Sequence, residues 1–444
     1  MYVYVALVAG ICIVALLSYS LQGWQRVTPI GAFLAFEIAA TWPAFALYAN
    51  ELDPMTELPL LCAIAGGMVA TLGFWLAGGF KVQTFLLRFH GTSPADIKTQ
   101  VHYLTGAILL LSGVLVVITC YRFGGWPPLF STGLRSLIDP VSNFADVDAM
   151  REGRRSMTKG YLLGKEYAGQ GFLNALSEIG WQIVVVATAC RALLNGVRGS
   201  LFFSGSICLV AFLFLGSSGH RSPIAFAAVG VVVSFMLYRD VNMKKIFMSL
   251  VLMLALMIFI APLSKGAKAG SSISERQDAI VKRISMGNGQ NNVAIVKLVD
   301  SGTLSLGYGS VFLEKILVMI PGAPKKRPFA LRLTEMAYGG GKNVTGFSTA
   351  TQFGLLWADG AAIGVLVGYL CTGFVLAIVW RLLVKLRGPW APVVAVQGAL
   401  LLGYCSVTGI QAILSSAILV GVCVGLMMIG GHLAMSYDQR TAEA

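Results

Sequence analysis

Long apolar runs, most of them joined by short loops, leave this chain few folds to choose from. Runs near 3–20, 28–48, 58–78, 103–121, 172–193, 200–217, 222–238, 246–263, 353–380, 391–408 and 412–434 approach the roughly 20 residues that a helix needs to cross a hydrocarbon core of about 30 Å. In lipid only helices and closed barrels satisfy every backbone amide, and the ten-residue alternating segments of a barrel are missing. Charged residues make up 12% of the chain and mean hydropathy is +0.76, whereas a soluble globule carries about 25% charge to cover itself. The expected fold class is therefore an all-α polytopic membrane protein of about 11 transmembrane helices, a single integral membrane domain over residues 1–444.

Two runs are separated from their successors by long loops, at 122–171 and 264–346. The second loop is basic: from Lys265 to Lys342 it holds twelve Lys and Arg against five Asp and Glu, 12 − 5 = +7 of the formal +13. Short loops set orientation, because Lys and Arg are retained on the cytoplasmic side. The odd-numbered short loops and the C-terminus hold thirteen basic residues; the even-numbered ones hold only Arg221. This bias expects the N-terminus outside, the C-terminus in the cytoplasm and both long loops outside. The positive charge of the long loops then serves another purpose, and an anionic ligand is the natural one.

All eight cysteines lie within or at the ends of apolar runs, with no CxxC, and read as small core residues. The first residues carry no basic stretch ahead of their apolar run, so the first helix is expected to stay uncleaved. In the second loop, SERQDAIVKRI from about Ser274 has helix-start chemistry. Arg276 and Arg283, seven apart, would share one face of that helix. A second amphipathic segment runs to about Val299. A third, SVFLEKILVMI, is too short to span and suits the membrane interface. Behind it, Pro321, Pro324 and Pro328 stiffen a segment that presents Lys325, Lys326 and Arg327 together.

Three stretches, in order, resemble the Wzy-type oligosaccharide repeat-unit polymerases of bacterial O-antigen and exopolysaccharide: LGSSGHRSPIAFAAVGVVVSF, LGYGSVFLEKILVMIPGAPKKRP and STATQFGLLWADGAAIGVLVGYLCTGF. The likeness covers roughly residues 200–380. Two positions depart from the family pattern: Gly322 stands where an Arg usually follows Ile-Pro, and Lys325-Lys326-Arg327-Pro328 stands where a Lys-Pro pair is expected. The resemblance implies a GT-C-like glycosyltransferase of the bacterial cytoplasmic (inner) membrane. It would move a growing glycan from undecaprenyl diphosphate to the non-reducing end of a new lipid-linked repeat unit. Its implied partners are the undecaprenyl-diphosphate-linked oligosaccharide, membrane lipids, and a chain-length regulator and flippase of the same pathway. No nucleic acid and no cofactor are expected.

A diphosphate leaving group develops negative charge, which a metal or fixed cations can stabilise. No DxD, HExxH or paired His stands outside, so arginine, which matches phosphate oxygens bidentately, is the expected alternative. Arg221 is the leading candidate, against a simple interfacial anchor. Arg276, Arg283, Lys325, Lys326, Arg327 and Arg122, at the start of the first long loop, are the further candidate anion contacts, against headgroup attraction. Candidate bases for the acceptor hydroxyl are His220, Asp359 and Glu178, with an ion pair as the ordinary alternative for the carboxylates. Glu37, deep in the second run, reads as a structural partner. Tyr308 and Trp126 could stack on sugars or anchor the interface. GGGKNVTG at 339–346 fails the phosphate-loop spacing and reads as a hinge.

Competing readings are an O-antigen ligase with the same donor, a transporter or flippase of lipid-linked sugars, and a non-enzymatic partner in an assembly complex. The transporter reading expects buried charge and helices broken near the membrane midplane.

Overall fold

A computed structural model of the 444-residue chain describes residues 28–42, 44–45, 57–81, 94–123, 126, 170–217, 221–238, 289–317, 329–338, 350–410 and 412–443. Their order is helical throughout: α1 (Pro29–Ala40), α2 (Glu57–Leu76), α3 (Pro94–Phe123), α4 (Gln170–Asn195), α5 (Val197–Ser217), α6 (Arg221–Tyr238), α7 (Gly289–Asp300), α8 (Ser310–Leu317), α9 (Phe329–Tyr338), α10 (Gln352–Leu383), α11 (Ala391–Thr408) and α12 (Ala412–Glu443). The protein is a multi-pass, largely α-helical membrane protein.

The expectation of about 11 membrane-spanning helices is corrected by helix length. Six helical stretches among the described residues are long and apolar enough to cross a bilayer: Glu57–Leu76, Ile97–Tyr121, Ala175–Asn195, Gln352–Leu383, Ala391–Thr408 and Ser416–Tyr437. The runs expected at 28–48, 200–217 and 222–238 contain shorter apolar helices, Pro29–Ile38, Ser200–Gly216 and Pro223–Phe235. At 1.5 Å rise per residue such helices fall short of the core thickness. The runs at 3–20 and 246–263 lie outside the described residues.

Two compact units share the chain. The first takes Met1–Gln83, Ser272–Lys385 and Gly398–Ser415; the second takes Thr84–Ser271, Leu386–Gln397 and Ser416–Ala444.

In the second unit α4 is the hub, packed against α3, α5 and α6. Its buried Trp181 stacks on Phe214 at 4.8 Å and donates its indole N–H to Thr119 Oγ1 at 3.3 Å. Thr119 also bonds Ser177 Oγ, at 2.8 Å, and returns its own proton to the Leu115 carbonyl at 2.7 Å. Thr188 and Ser234 likewise donate to Val184 and Gly230 of their own helices. Hydroxyls tied back to the previous turn satisfy their own donors in an apolar setting. At Gly106, an added Cβ would lie 2.5 Å from Ala434 and 2.6 Å from the Gly430 carbonyl, so α3 and α12 meet backbone to backbone through small residues.

In the first unit α1 begins at Thr28, whose Oγ1 accepts from Gly31 N at 3.2 Å, with Pro29 in the first helical position. α2 lies against the long part of α10, where Gly66 leaves room for the Tyr369 ring at a Cβ distance of 3.2 Å. Phe33 of α1 meets the same ring edge-on at 5.5 Å.

The expected single run at 353–380 is instead a hairpin. Gly360 (φ −160°, ψ 23°) and Ala361 (φ 49°, ψ −138°) leave helical geometry, and the residues before them turn back along those after. Gln352 Nε2 donates to Thr372 Oγ1 at 3.3 Å although the two are 20 residues apart, a separation of about 30 Å on a straight helix. Leu356 packs over Gly364 and Gly368. Residues 352–359 are thus a half-helix doubled back against 362–383, which alone rises about 33 Å and can span.

Candidate functional site

Two constellations of the first unit stand out, one at each end of the half-helix. At its tip, Asp359 is 7% exposed and holds the start of α8. Its Oδ1 accepts from Gly309 N at 3.1 Å and Val311 N at 3.0 Å, and its Oδ2 accepts from Phe312 N at 3.0 Å. The Gly307 and Tyr308 amides bond the Ala358 and Asp359 carbonyls at 2.9 and 2.8 Å. A helix start leaves backbone N–H groups without partners, and a carboxylate there is favoured by charge as well as by hydrogen bonding. Asp359 is therefore the N-cap of α8, supplied from a different part of the chain.

The local sequence is built for this seat. Ser310 N closes a turn onto the Gly307 carbonyl at 2.9 Å, with Tyr308 (φ 47°) and Gly309 (φ 88°) between them. Two central residues at positive φ are the pattern of a type I′ turn, which glycine adopts freely and tyrosine does not. A Cβ at Gly307 would lie 2.5 Å from Asp359 Oδ1, so only glycine admits the carboxylate. Tyr308 itself is 86% exposed. From α8, Glu314 pairs with Arg332 of α9, whose guanidinium lies 5.7 Å from the Phe329 ring centre. Both flanks of the cationic segment 318–328 are thereby fastened, although that segment lies outside the described residues.

At the other end, four helix ends converge on a buried polar centre. Thr351, the N-cap residue of the half-helix, donates its N–H to Asn292 Oδ1 at 3.2 Å and receives Asn292 Nδ2 on its hydroxyl at 2.7 Å. Asn292 belongs to the first turns of α7, so the starts of α7 and of the half-helix lie side by side. Gln352 Oε1 accepts from Ile410 N at 2.8 Å, in the turn that follows α11. The Thr41 hydroxyl, at the end of α1, lies 3.5 Å from that of Thr351. Asn292, Thr41, Thr351, Gln352 and Thr372 are all buried. Thr372 sits about half-way along a segment long enough to span.

One turn before Thr41 on α1, Glu37 is 0% exposed. The Tyr369 hydroxyl and Thr41 lie beside its carboxyl, with Cys405 close by. No hydrogen-bond geometry is reached at either Glu37 oxygen or at the Tyr369 hydroxyl.

Of the residues expected from sequence, the structure brings Asp359 and Tyr308 together and gives both a place in the α8 seat. Glu178 lies on α4 in the other unit, half-buried. Arg221 is the first residue of α6, and Arg122 falls in the last turn of α3, which extends to Phe123; the backbone alone is described at both. His220, Arg276, Arg283, Lys325, Lys326 and Arg327 lie outside the described residues, as do the helix expected from Ser274 and the 339–346 stretch. Asn292, Thr351 and Gln352 were not anticipated, nor was the break at Gly360. Signals for them exist: Asp359-Gly360 is a turn dipeptide inside an apolar run, and Asn291-Asn292 interrupts an apolar helix face.

Comparison with models of known protein families, with curated proteins and with solved structures returned no match.

Proposed function

We propose that the protein is a polymerase of lipid-linked oligosaccharide repeat units, a glycosyltransferase that needs no metal. It works on the outer face of a bacterial cytoplasmic membrane, with its N-terminus outside and its C-terminus in the cytoplasm. The observation that carries this reading is the α8 seat. Two of the three stretches that resemble the polymerases, 306–328 and 348–374, are joined through the Gly307–Phe312 backbone and Asp359.

In this reading Asp359 is a positioning residue, since three amides already occupy its oxygens. It fixes α8, and α8 with α9 holds both flanks of Lys325, Lys326 and Arg327 so that these cations meet a diphosphate as it leaves. Arg221 supplies a further fixed charge, and Arg276, Arg283 and Arg122 draw the anionic donor. Preset cations stabilise developing charge without reorganising at the moment of reaction. His220 and Glu178 remain the proton acceptors proposed for the acceptor hydroxyl, and Tyr308 a surface for a sugar face. The substrate is an undecaprenyl-diphosphate-linked oligosaccharide, with a chain-length regulator and a flippase as pathway partners.

Purified protein reconstituted with a lipid-linked repeat unit should yield chains longer than one repeat, with EDTA present or absent. Arg221→Ala should abolish chain growth while the protein still reaches the membrane. Folded protein that never exceeds one repeat, or activity restored only by a divalent ion, overturns the proposal.

A second reading is favoured by the broken helix and by buried Glu37, both of which belong to transporters. It is a carrier of the same lipid-linked sugars, and it predicts movement of the repeat unit across a liposome membrane with no increase in chain length.

A further inference from the structure

We propose that Glu37 is a proton-binding site of the membrane interior, protonated in the form described here, and that the half-helix 352–359 controls whether water reaches it. The inference stands under either reading of the function.

Three neighbouring groups surround the carboxyl. From α10 it faces the Tyr369 hydroxyl, from α11 the Cys405 thiol, and from its own helix Thr41. Among the described residues no cationic side chain lies against it. Both oxygens are fully enclosed, and the Tyr369 and Thr41 hydroxyls are the polar groups beside them. An ionised carboxylate with no cation and only two neutral hydroxyls beside it is among the costliest groups to keep in an apolar interior; the same carboxyl carrying a proton is neutral and needs far less compensation. A protonated Glu37 can in addition turn its O–H toward the Tyr369 oxygen.

A permanently protonated glutamate would have no advantage over glutamine. What distinguishes this position is the strip of chain beside it. Thr41, one turn along α1 from Glu37, touches the Thr351 hydroxyl at the start of the half-helix. That start carries unpaired helical amides and a partial positive charge, which favour an anion nearby. The half-helix is fastened to its surroundings at Thr351 and Gln352 by bonds to Asn292, Thr372 and Ile410, and it turns on two non-helical residues, Gly360 and Ala361. Displacing it about that turn would open the enclosed side of Glu37 to water and let the proton leave.

Difference infrared spectroscopy of the full-length protein in lipid nanodiscs tests both halves. At neutral pH the wild-type protein should show a protonated-carboxyl band that shifts with ¹³C-carboxyl glutamate and is lost in Glu37→Gln. If Glu37→Gln fails to reach the membrane, Glu37→Asp serves instead, and the band should move rather than vanish. On transfer to D₂O the band should exchange slowly in the wild type. In Asn292→Ala, which releases the half-helix, exchange should be at least about tenfold faster, the change expected from losing buried hydrogen bonds. A glutamate band that is a carboxylate at neutral pH, or one that responds to sodium rather than to pH, overturns the proton site. Equal exchange rates in the two proteins overturn the role of the half-helix.

Discussion

The two units bury polar groups in opposite ways. In the second, the buried hydroxyls of Thr119, Thr188 and Ser234 bond carbonyls of their own helices, so the helices run unbroken and the polar atoms help to pack them. In the first, Thr372 does the same toward Gly368, but the other members of the polar centre belong to places where helices stop: the starts of α7 and of the half-helix, the turn after α11 and the end of α1. Backbone amides exposed by a break inside a membrane tolerate no lipid contact. Asn292, Gln352 and Asp359 supply the partners that these breaks require. Such breaks persist only where the surroundings over-determine them, and they gather where a chain moves or binds. The helix breaks of the first unit therefore need tertiary partners that a continuous helix supplies for itself.

The sharpest way to break this contrast is to remove a partner from the polar centre. Asn292→Ala leaves the Thr351 N–H and hydroxyl without their bonds in a fully buried setting. Each orphaned group costs on the order of 1–3 kcal/mol, so a loss of about 3 kcal/mol is expected in reversible denaturation of the micellar protein. A loss below 1 kcal/mol would mean that water or a neighbour substitutes, and that the half-helix is not held as described.

Next in size is the α8 seat. Asp359→Ala removes three amide acceptors and should cost about 2 kcal/mol, in the range of lost helix caps and charge-assisted bonds. Asp359→Asn keeps the shape but turns an NH₂ toward one of the amides, and should lie in between. Gly307→Ala should resemble Asp359→Ala, because its Cβ would lie 2.5 Å from Oδ1 and push the carboxylate out of its seat. In the reconstituted system all three should shorten the product chains while leaving binding of the donor lipid measurable. Product lengths unchanged in a protein that has lost the cap would separate the seat from the chemistry.

A change in the opposite direction is expected at Ala361. It holds φ 49°, a conformation that burdens any residue with a Cβ by roughly 1–3 kcal/mol. Ala361→Gly removes that strain and loosens the unfolded chain, so a net gain of about 1 kcal/mol in stability is expected. Faster deuterium exchange at Glu37 in this variant would further identify 360–361 as the pivot. A loss of stability would instead show that the Ala361 methyl packs well enough to outweigh the strain.

How much of this was legible follows from the kind of signal each feature leaves. The apolar runs identified α2, α3, α4, α10, α11 and α12 as membrane-crossing, because hydropathy reports what lipid requires of a continuous helix. The same measure overcounted: it registers an apolar run whether it crosses, doubles back or stops short, and the apolar stretches Pro29–Ile38, Ser200–Gly216 and Pro223–Phe235 within α1, α5 and α6 fall in the last group. The short helix after Tyr308-Gly309 was also legible, since glycine and serine mark its start. Its partner was not, for a cap supplied by Asp359, 48 residues from Val311, leaves no local pattern. Sequence placed Asp359 at the end of an apolar run and read its carboxylate as a base or an ion-pair partner; only tertiary contact reveals three amides around it. Glu37 stood out as a charge inside a span, but the nearness of Tyr369 and Cys405 depends on how α10 and α11 pack.

The smallest expected effect comes from the second unit and tests the other side of the contrast. Gln397 Nε2 donates to Gln182 Oε1 at 2.8 Å between α11 and α4, with both side chains buried. If this pair only satisfies itself, it is replaceable as a unit. Gln182→Leu alone leaves the Gln397 amide without an acceptor and should cost about 1–2 kcal/mol, and Gln397→Leu alone should cost a similar amount. The double variant removes donor and acceptor together, and apolar groups of similar size in both places should return stability to within about 0.5 kcal/mol of the wild type. Replacing Asn292 and Thr351 together should show no such recovery, because the Thr351 N–H belongs to the backbone and stays behind whatever the side chains become. A double Leu variant as damaged as the sum of its parts would show that the Gln182–Gln397 pair holds more than itself in place.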